Sequence, residues 1–249
     1  MSVLSERSSS FRALVGRNGS TLSCALFVLS ALLVAGLDRS LSLAVYLLSF
    51  WHYYLYWLAC AFGARFDIFK RDAVAMKTVS VAALAVVYLA ELLDVVSLAV
   101  IAGGVLLNVR AAAVLGIDRT YYGHEVAGLP PKRMTAFPYS LTAHPMILGN
   151  VAAFGGTLIN PAFAERWWPL ACLHVALNVG LLVMELAGTP RVGAVRISGG
   201  LVFAAVLLGA AFAALESGTA ATASVALLGG AAVACAGALY RCYVGRRAS

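Results

Sequence analysis

Two ionisable residues stand out in an otherwise apolar stretch of chain: His144, directly before Pro145, and Glu185, some forty residues on. A histidine, whose ordinary pKa is about 6.5, exchanges protons readily near neutral pH and suits a general base. Capping the helix that follows is its structural alternative. A glutamate at the C-terminal end of a helix gets no support from the helix dipole, which favours cations there, so Glu185 calls for a positive partner. Arg191, Arg196 or water would serve structurally, and a bound cation or donor would serve functionally. Between Ile117 and His144 lie Tyr121, Tyr122, Phe137 and Tyr139, together with His124 and Glu125, which are second choices as a base. Aromatic faces attract cations, although a ring of aromatics at a membrane surface is the plainer reading of about half of them.

The elements that must position these groups are transmembrane helices. Of 249 residues, 62% are hydrophobic and 12% charged, far from the roughly one quarter charged of soluble proteins. Apolar runs follow one another through the chain without the period-two alternation of a barrel, so the expected fold is an all-α polytopic membrane bundle. The runs give about eight spans: Leu22 to Leu37, Leu41 to Gly63, Met76 to Leu93, Val96 to Gly116, Pro145 to Ile159, Trp167 to Gly188, Ile197 to Leu215 and Ala221 to Tyr240. A basic segment, 1–21, precedes this domain of residues 22–240, and a basic tail, 241–249, follows it. With both termini cytosolic, all of the 18 Lys and Arg residues except Arg39 and Arg166 fall on the cytosolic side, as the positive-inside rule requires. The net charge of +7 is thereby assigned to topology and anionic lipid, not to nucleic acid. Glu91 and Asp94 mark a tight turn between the third and fourth spans.

This topology puts the segment from Ile117 to His144 in one cytosolic loop, longer than the roughly 12 to 15 residues beyond which loops tend to be functional or disordered. Its aromatics among glycines and prolines argue for an ordered loop docked on the bundle or a ligand. The fifth and sixth spans then form a hairpin that begins and ends on one membrane face, with Pro145 at a first helical position, so His144 and Glu185 share a depth.

The ordered series Leu115-Gly116-Ile117, Thr120-Tyr121-Tyr122-Gly123, Phe137-Pro138-Tyr139, His144-Pro145-Met146 and Gly149 resembles the core of the phospholipid N-methyltransferase family, over roughly Ala99 to Glu185. The core of the domain is accordingly placed at residues 99–188. The resemblance implies use of S-adenosylmethionine to methylate the amine of phosphatidylethanolamine or its methylated forms. It implies a cofactor site at Gly103, Gly104, His144, Pro145, Gly149 and Glu185, catalysis by His144 and Glu185, and substrate contacts from Tyr121, Tyr122, Glu125, Phe137 and Tyr139. The family's Gly-x-Gly falls on Ala102-Gly103-Gly104 and its Glu-Glu pair on Met184-Glu185. Methyl transfer moves positive charge from sulfur to nitrogen, which a fixed carboxylate and aromatic faces stabilise.

The departures in those motifs and two spans beyond the family's usual tail suit one alternative, a catalytically silent subunit of a membrane complex; an integral methyltransferase for another acceptor such as an isoprenylcysteine is the other, since that family shares a similar helical hairpin. The expected location is an integral membrane, the endoplasmic reticulum in a eukaryote or the inner membrane in a bacterium. The Ser- and Arg-rich start, residues 1–20, also suits a mitochondrial transit peptide. Elsewhere, Trp51 to Trp57 reads as a buried packing surface or an aromatic cage, and His174 with Asn178 as an interhelical hydrogen-bonding pair. The cysteines Cys24, Cys60, Cys172, Cys235 and Cys242 show no CxxC spacing and read as small apolar residues, with no metal site expected.

Overall fold

The structure, a computed structural model, describes residues 20–34, 36, 41–62, 64–186 and 229–238. Every regular element among them is an α-helix: α1 (Ser20–Val34), α2 (Leu41–Phe62), α3 (Phe66–Leu89), α4 (Val95–Leu115), α5 (Ile117–Thr120), α6 (Gly123–Ala127), α7 (Pro145–Thr157), α8 (Pro161–Leu186) and α9 (Gly229–Ala238). Of these, α3 and α4 are long and apolar enough to cross a membrane. The expected span from Ile197 to Leu215, both basic termini, Arg191, Arg196, and the side chains of Glu125 and Glu185 lie outside the described residues.

Helix α3 starts ten residues before the expected Met76, at Phe66. Its first turns are polar on one side only. Phe69 and Ala73 are wholly buried, and buried Asp72 accepts hydrogen bonds from Thr21 at 2.8 Å and from Arg71 at 3.2 Å, while Arg71 also donates to the Thr21 hydroxyl. An acid this deep is tolerated because it is paired. A hydrophobicity window stops at Lys70 and Arg71, whereas the helix continues through them. Likewise α8 begins at Pro161, before the expected Trp167, and carries Pro169 inside it.

The described residues fall into two compact units, one within Met1–Val81 and Val195–Ser249, the other within Ala82–Ala194. In the first, Trp51 stacks on Phe27 with ring centroids 3.8 Å apart. Trp51, His52, Tyr53 and Tyr56 are all buried, and His52 and Tyr53 lie ring to ring at 4.0 Å. The aromatic run is thus a packed core, not an open cage. The Ser80 hydroxyl donates to the Ser49 carbonyl at 2.7 Å, joining α3 to α2.

The second unit is built on α4, α7 and α8. At one end, Asp94 caps α4 by accepting from the Ser97 amide at 2.7 Å, an interaction that satisfies one of the orphan donors of a helix start. This is the tight turn expected from Glu91 and Asp94. The Asn160 side chain does the same for α8, accepting from the amides of Ala162 and Phe163, and its Nδ2 donates to the Leu92 carbonyl at 2.8 Å, so the two turns at this end are tied together. Between the helices, Tyr88 donates to Ser97 and Ser97 to the Gly156 carbonyl, each at 2.7 Å.

The α4–α7 crossing is a contact of backbones. A Cβ placed on Gly104 would lie 2.5 Å from the Gly149 carbonyl oxygen and 2.6 Å from the Ala153 nitrogen. One placed on Gly149 would lie 2.6 Å from the Gly104 oxygen. Small residues at such crossings let dispersion and polar contacts replace the hydrophobic drive that lipid removes. The buried seam of α4 is therefore Ser97, Gly104 and Ala111, spaced at helical repeats, while Val105, Leu106 and Val109 are exposed.

Candidate functional site

Away from the capped turns, the three helices share a chain of side-chain amides. Asn108 of α4 donates to the Met146 carbonyl at 3.0 Å and to the Asn150 oxygen at 2.8 Å, both on α7. Asn150 in turn donates to the Asn178 oxygen on α8 at 2.9 Å, and Asn178 donates to the His174 carbonyl at 2.8 Å. Asn178 and His174 are buried, and the His174 ring stacks on Phe154 at 4.3 Å. The interhelical role expected of Asn178 is met through Asn150. A buried amide costs little only when its donors and acceptors are used, which here takes one asparagine from each helix.

These contacts fix the register. Asn150 meets Asn178, and four residues along α7 Phe154 meets His174, four residues back along α8. Continued in that antiparallel order, the backbone of Glu185 comes level with Ala143 and His144. The same reading of Ser97 against Gly156 and Asn108 against Met146 and Asn150 brings Ala111 to that level. One end of the bundle thus gathers the last turns of α4, the start of α7 and the last turn of α8.

His144 is half-buried and occupies the residue before α7, but its side chain makes no cap hydrogen bond; its amide donates to the Thr142 hydroxyl at 3.4 Å. The capping alternative is thereby set aside. Pro145 opens the helix and is buried. Of the glycines, Gly104 and Gly149 face each other across the helix crossing, so their open faces are already filled. Gly103 meets nothing within 4 Å; it lies eight residues from Ala111, or about 12 Å along the axis at 1.5 Å per residue.

The loop is ordered and held to itself. Gly116 ends α4 at φ 84°, a conformation open chiefly to glycine. Beyond it, Arg119 donates to the Pro130 carbonyl at 2.7 Å, and the His124 Nδ1–H donates to the Leu129 carbonyl at 2.6 Å. This contact ties the His124 ring to the loop through Nδ1 and leaves Nε2 as the nitrogen that could take a proton. Tyr121 and Tyr122 form the turn between α5 and α6, both half-buried, with Tyr122 left-handed at φ 59°. Burial raises the Tyr121 phenol above its ordinary value of 10.0. Phe137 is 55% exposed, Pro138 buried and Tyr139 half-buried, in a turn closed by Tyr139 N–H to the Ala136 carbonyl at 2.8 Å. A recess of about 240 Å³ is lined by Leu115, Gly116, Ile117, Asp118, Arg119 and Leu129. Of the substrate residues expected from the sequence, Tyr121, Tyr122, Phe137 and Tyr139 do not line it.

Sequence reasoning missed Asn108 and Asn150. The spacing Gly104–Asn108–Ala111, small or polar residues at helical repeat within an apolar run, is the signal that marks the seam. Among the described residues there is no group of three His, Cys, Asp or Glu side chains able to hold a metal ion.

Comparison with known proteins adds one match. Residues 93–190 match the model of the phospholipid methyltransferase family, the family that the motif series resembles. The matched segment begins at the α3–α4 turn, takes in α4, the loop and the α7–α8 hairpin, and coincides closely with the second unit. No curated protein and no solved structure matches the chain.

Proposed function

With a phospholipid methyltransferase segment at residues 93–190 as the premise, we propose that the chain is a membrane-embedded, S-adenosylmethionine-dependent methyltransferase acting on the amine of a phospholipid headgroup. One observation carries the reading: the antiparallel register of α7 and α8 sets His144 and the Glu185 backbone at one end of the bundle, beside the loop. The family and the apolar helices α3 and α4 associate the chain with a membrane. A polar site at helix ends is then reached by headgroups from the side and by a soluble donor from water.

The residues fit the donor at that end of the bundle. His144 is half-buried instead of sealed, and Gly103 has an open face. Gly104 and Gly149 serve the helix crossing, so Gly103, His144, Pro145 and Glu185 remain to bind it. The bound donor supplies an electrophilic methyl group. His144 takes the proton that must leave the ammonium headgroup before its nitrogen can act as a nucleophile. Glu185 places a negative charge beside the positive charge of the reaction. Tyr121, Tyr122, Phe137, Tyr139 and Glu125 border the headgroup, the rings offering their faces to the methylated product.

The filled faces of Gly104 and Gly149 favour a second reading, a silent member serving as a structural subunit. The test is to add labelled S-adenosylmethionine to membranes of a host without lipid methyltransferases, with phosphatidylethanolamine or its mono- or dimethyl form as acceptor. Label transferred to any of the three supports the enzyme. Inserted protein that labels none, and that still assembles with other membrane proteins, supports the subunit.

A further inference from the structure

We infer that the Asn108–Asn150–Asn178 relay is a positioning device that holds α4, α7 and α8 in the one register at which His144 and Glu185 share a level. This inference rests on the methyltransferase reading for its functional half. Its structural half stands on the four hydrogen bonds alone.

The α4–α7 contact sets Gly104 against Gly149 and Ala153 and seats Val100 and Ile101 on Gly156, contacts of shape that carry no polar pairing of their own. A slip of one turn, about 5.4 Å, would part these contacts and would also strand the amides that pair across the helices. On α8, His174 meets α7 by stacking on Phe154, a contact of ring faces that offers shape but little direction. A single buried amide pair penalises every register but one, because each wrong register leaves donors unsatisfied in an apolar medium. Asparagine is the residue that fixes register in this way in helical assemblies.

The relay is also placed to act on the reacting groups. Asn108 does not stop at the Asn150 side chain; its second N–H reaches the Met146 carbonyl, in the first turn of α7 and two residues from His144. Asn178 lies seven residues before Glu185, two turns along the same face of α8. Asn108 packs against Gly149 so closely that a Cβ there would lie 2.9 Å from the Asn108 nitrogen. Neither Asn150 nor Asn178 is assigned to touch donor or lipid, so their influence runs through the helices that bear His144 and Glu185.

The test replaces half-buried Asn150 and buried Asn178 together, Asn150→Leu with Asn178→Leu, giving apolar groups of similar volume, and compares it with the unaltered chain. Spin labels at Leu148→Cys and Val179→Cys, both exposed, report the α7–α8 register in a cysteine-free background by electron paramagnetic resonance. The unaltered asparagines should give one narrow distance. The Leu pair should give a broadened or displaced distribution, by up to one turn or about 5.4 Å. Affinity for S-adenosylhomocysteine should fall tenfold or more while the thermal unfolding midpoint is kept, a separation that a purely structural role would not produce. Should the Leu pair fail to fold, Asn108→Ala decides: it removes the Met146 bond from a half-buried position and should lower kcat with KM for the lipid unchanged. A Leu pair with the original distance and the original S-adenosylhomocysteine affinity overturns the inference, as does Asn108→Ala with unaltered kcat. If the unaltered chain binds no S-adenosylhomocysteine, the methyltransferase reading falls, and the label distances still decide whether the asparagines hold the register.

Discussion

Gly104 and Gly149 touch through their backbones, each so placed that a methyl group on one would run into the carbonyl oxygen of the other. The neighbouring Gly103 touches nothing within 4 Å. Adjacent glycines of one helix therefore do different work, and alanine substitutions separate them. Gly104→Ala and Gly149→Ala should each destabilise the folded chain by about 1 to 3 kcal/mol, the cost of overpacking against atoms that cannot yield. Gly103→Ala should be neutral or slightly stabilising, since alanine favours a helix by about 1 kcal/mol over glycine. Unfolding in detergent micelles measures all three, and loss of donor binding by a stable Gly103→Ala would mark that face as part of the cofactor site.

Glu185 is tested by removing its charge alone. Glu185→Gln should insert and unfold as the original does, yet bind S-adenosylhomocysteine or S-adenosylmethionine more weakly by about 1.5 to 3 kcal/mol, the scale of a charged hydrogen bond. Titration calorimetry on both proteins measures the difference, and equal affinities would return Glu185 to the role of a solvated helix end.

For His144 the expected signature is kinetic. His144→Ala should lower the rate of lipid methylation by about 10²-fold, the common worth of a general base, with partial recovery at high pH, where the free amine needs no base. Rates measured across pH decide between roles: a loss that stays constant with pH means that His144 shapes the site without moving a proton.

Tyr121 predicts a pH effect on stability. Burial raises its phenol above the ordinary 10.0, so above that value the unfolded chain releases the proton first and gains the advantage. The contribution is whole below pH 10 and is lost as pH rises through the folded value. Tyr121→Phe should flatten this decline, and unfolding midpoints of the two proteins between pH 9 and 11 provide the comparison.

The cytosolic placement expected of the loop is open to a labelling test at Lys132, which is exposed. In a cysteine-free background, Lys132→Cys should resist an impermeant thiol reagent in intact cells and react after permeabilisation. Gly128 would be a poorer site, because its φ of 67° disfavours any side chain. Ready reaction from outside would invert the topology.

The features legible in the sequence were those written in punctuation. Asp94 before an apolar run, Pro145 after His144, and the glycines and prolines around the loop mark helix ends by the groups they satisfy or forbid. The His144 end of the hairpin was therefore found. The packing faces were not. In a lipid-soluble helix the face turned to protein need not be more apolar than the face turned outward; on α4 the outward residues are Val105, Leu106 and Val109, while the buried ones are Ser97, Gly104 and Ala111. Hydrophobic periodicity, which finds the core face of a water-soluble helix, has nothing to report here. For the same reason Asn108 and Asn150 were not singled out, although each satisfies the other across the crossing. The start of α3 was misjudged because Asp72 and Arg71 pair with Thr21, a partner fifty residues away that no local window contains.

The thirteen residues of α7 reach only about 20 Å, against a hydrocarbon layer of about 30 Å. On its flank Leu148 is 41% exposed. A bilayer meets such hydrophobic mismatch by thinning, at a cost of fractions of a kcal/mol per Å. On the proposed membrane placement, the acyl chains around α7 would shorten and the phosphate plane would dip, so a lipid diffusing past this flank would be drawn down toward the start of the helix without climbing out of the membrane.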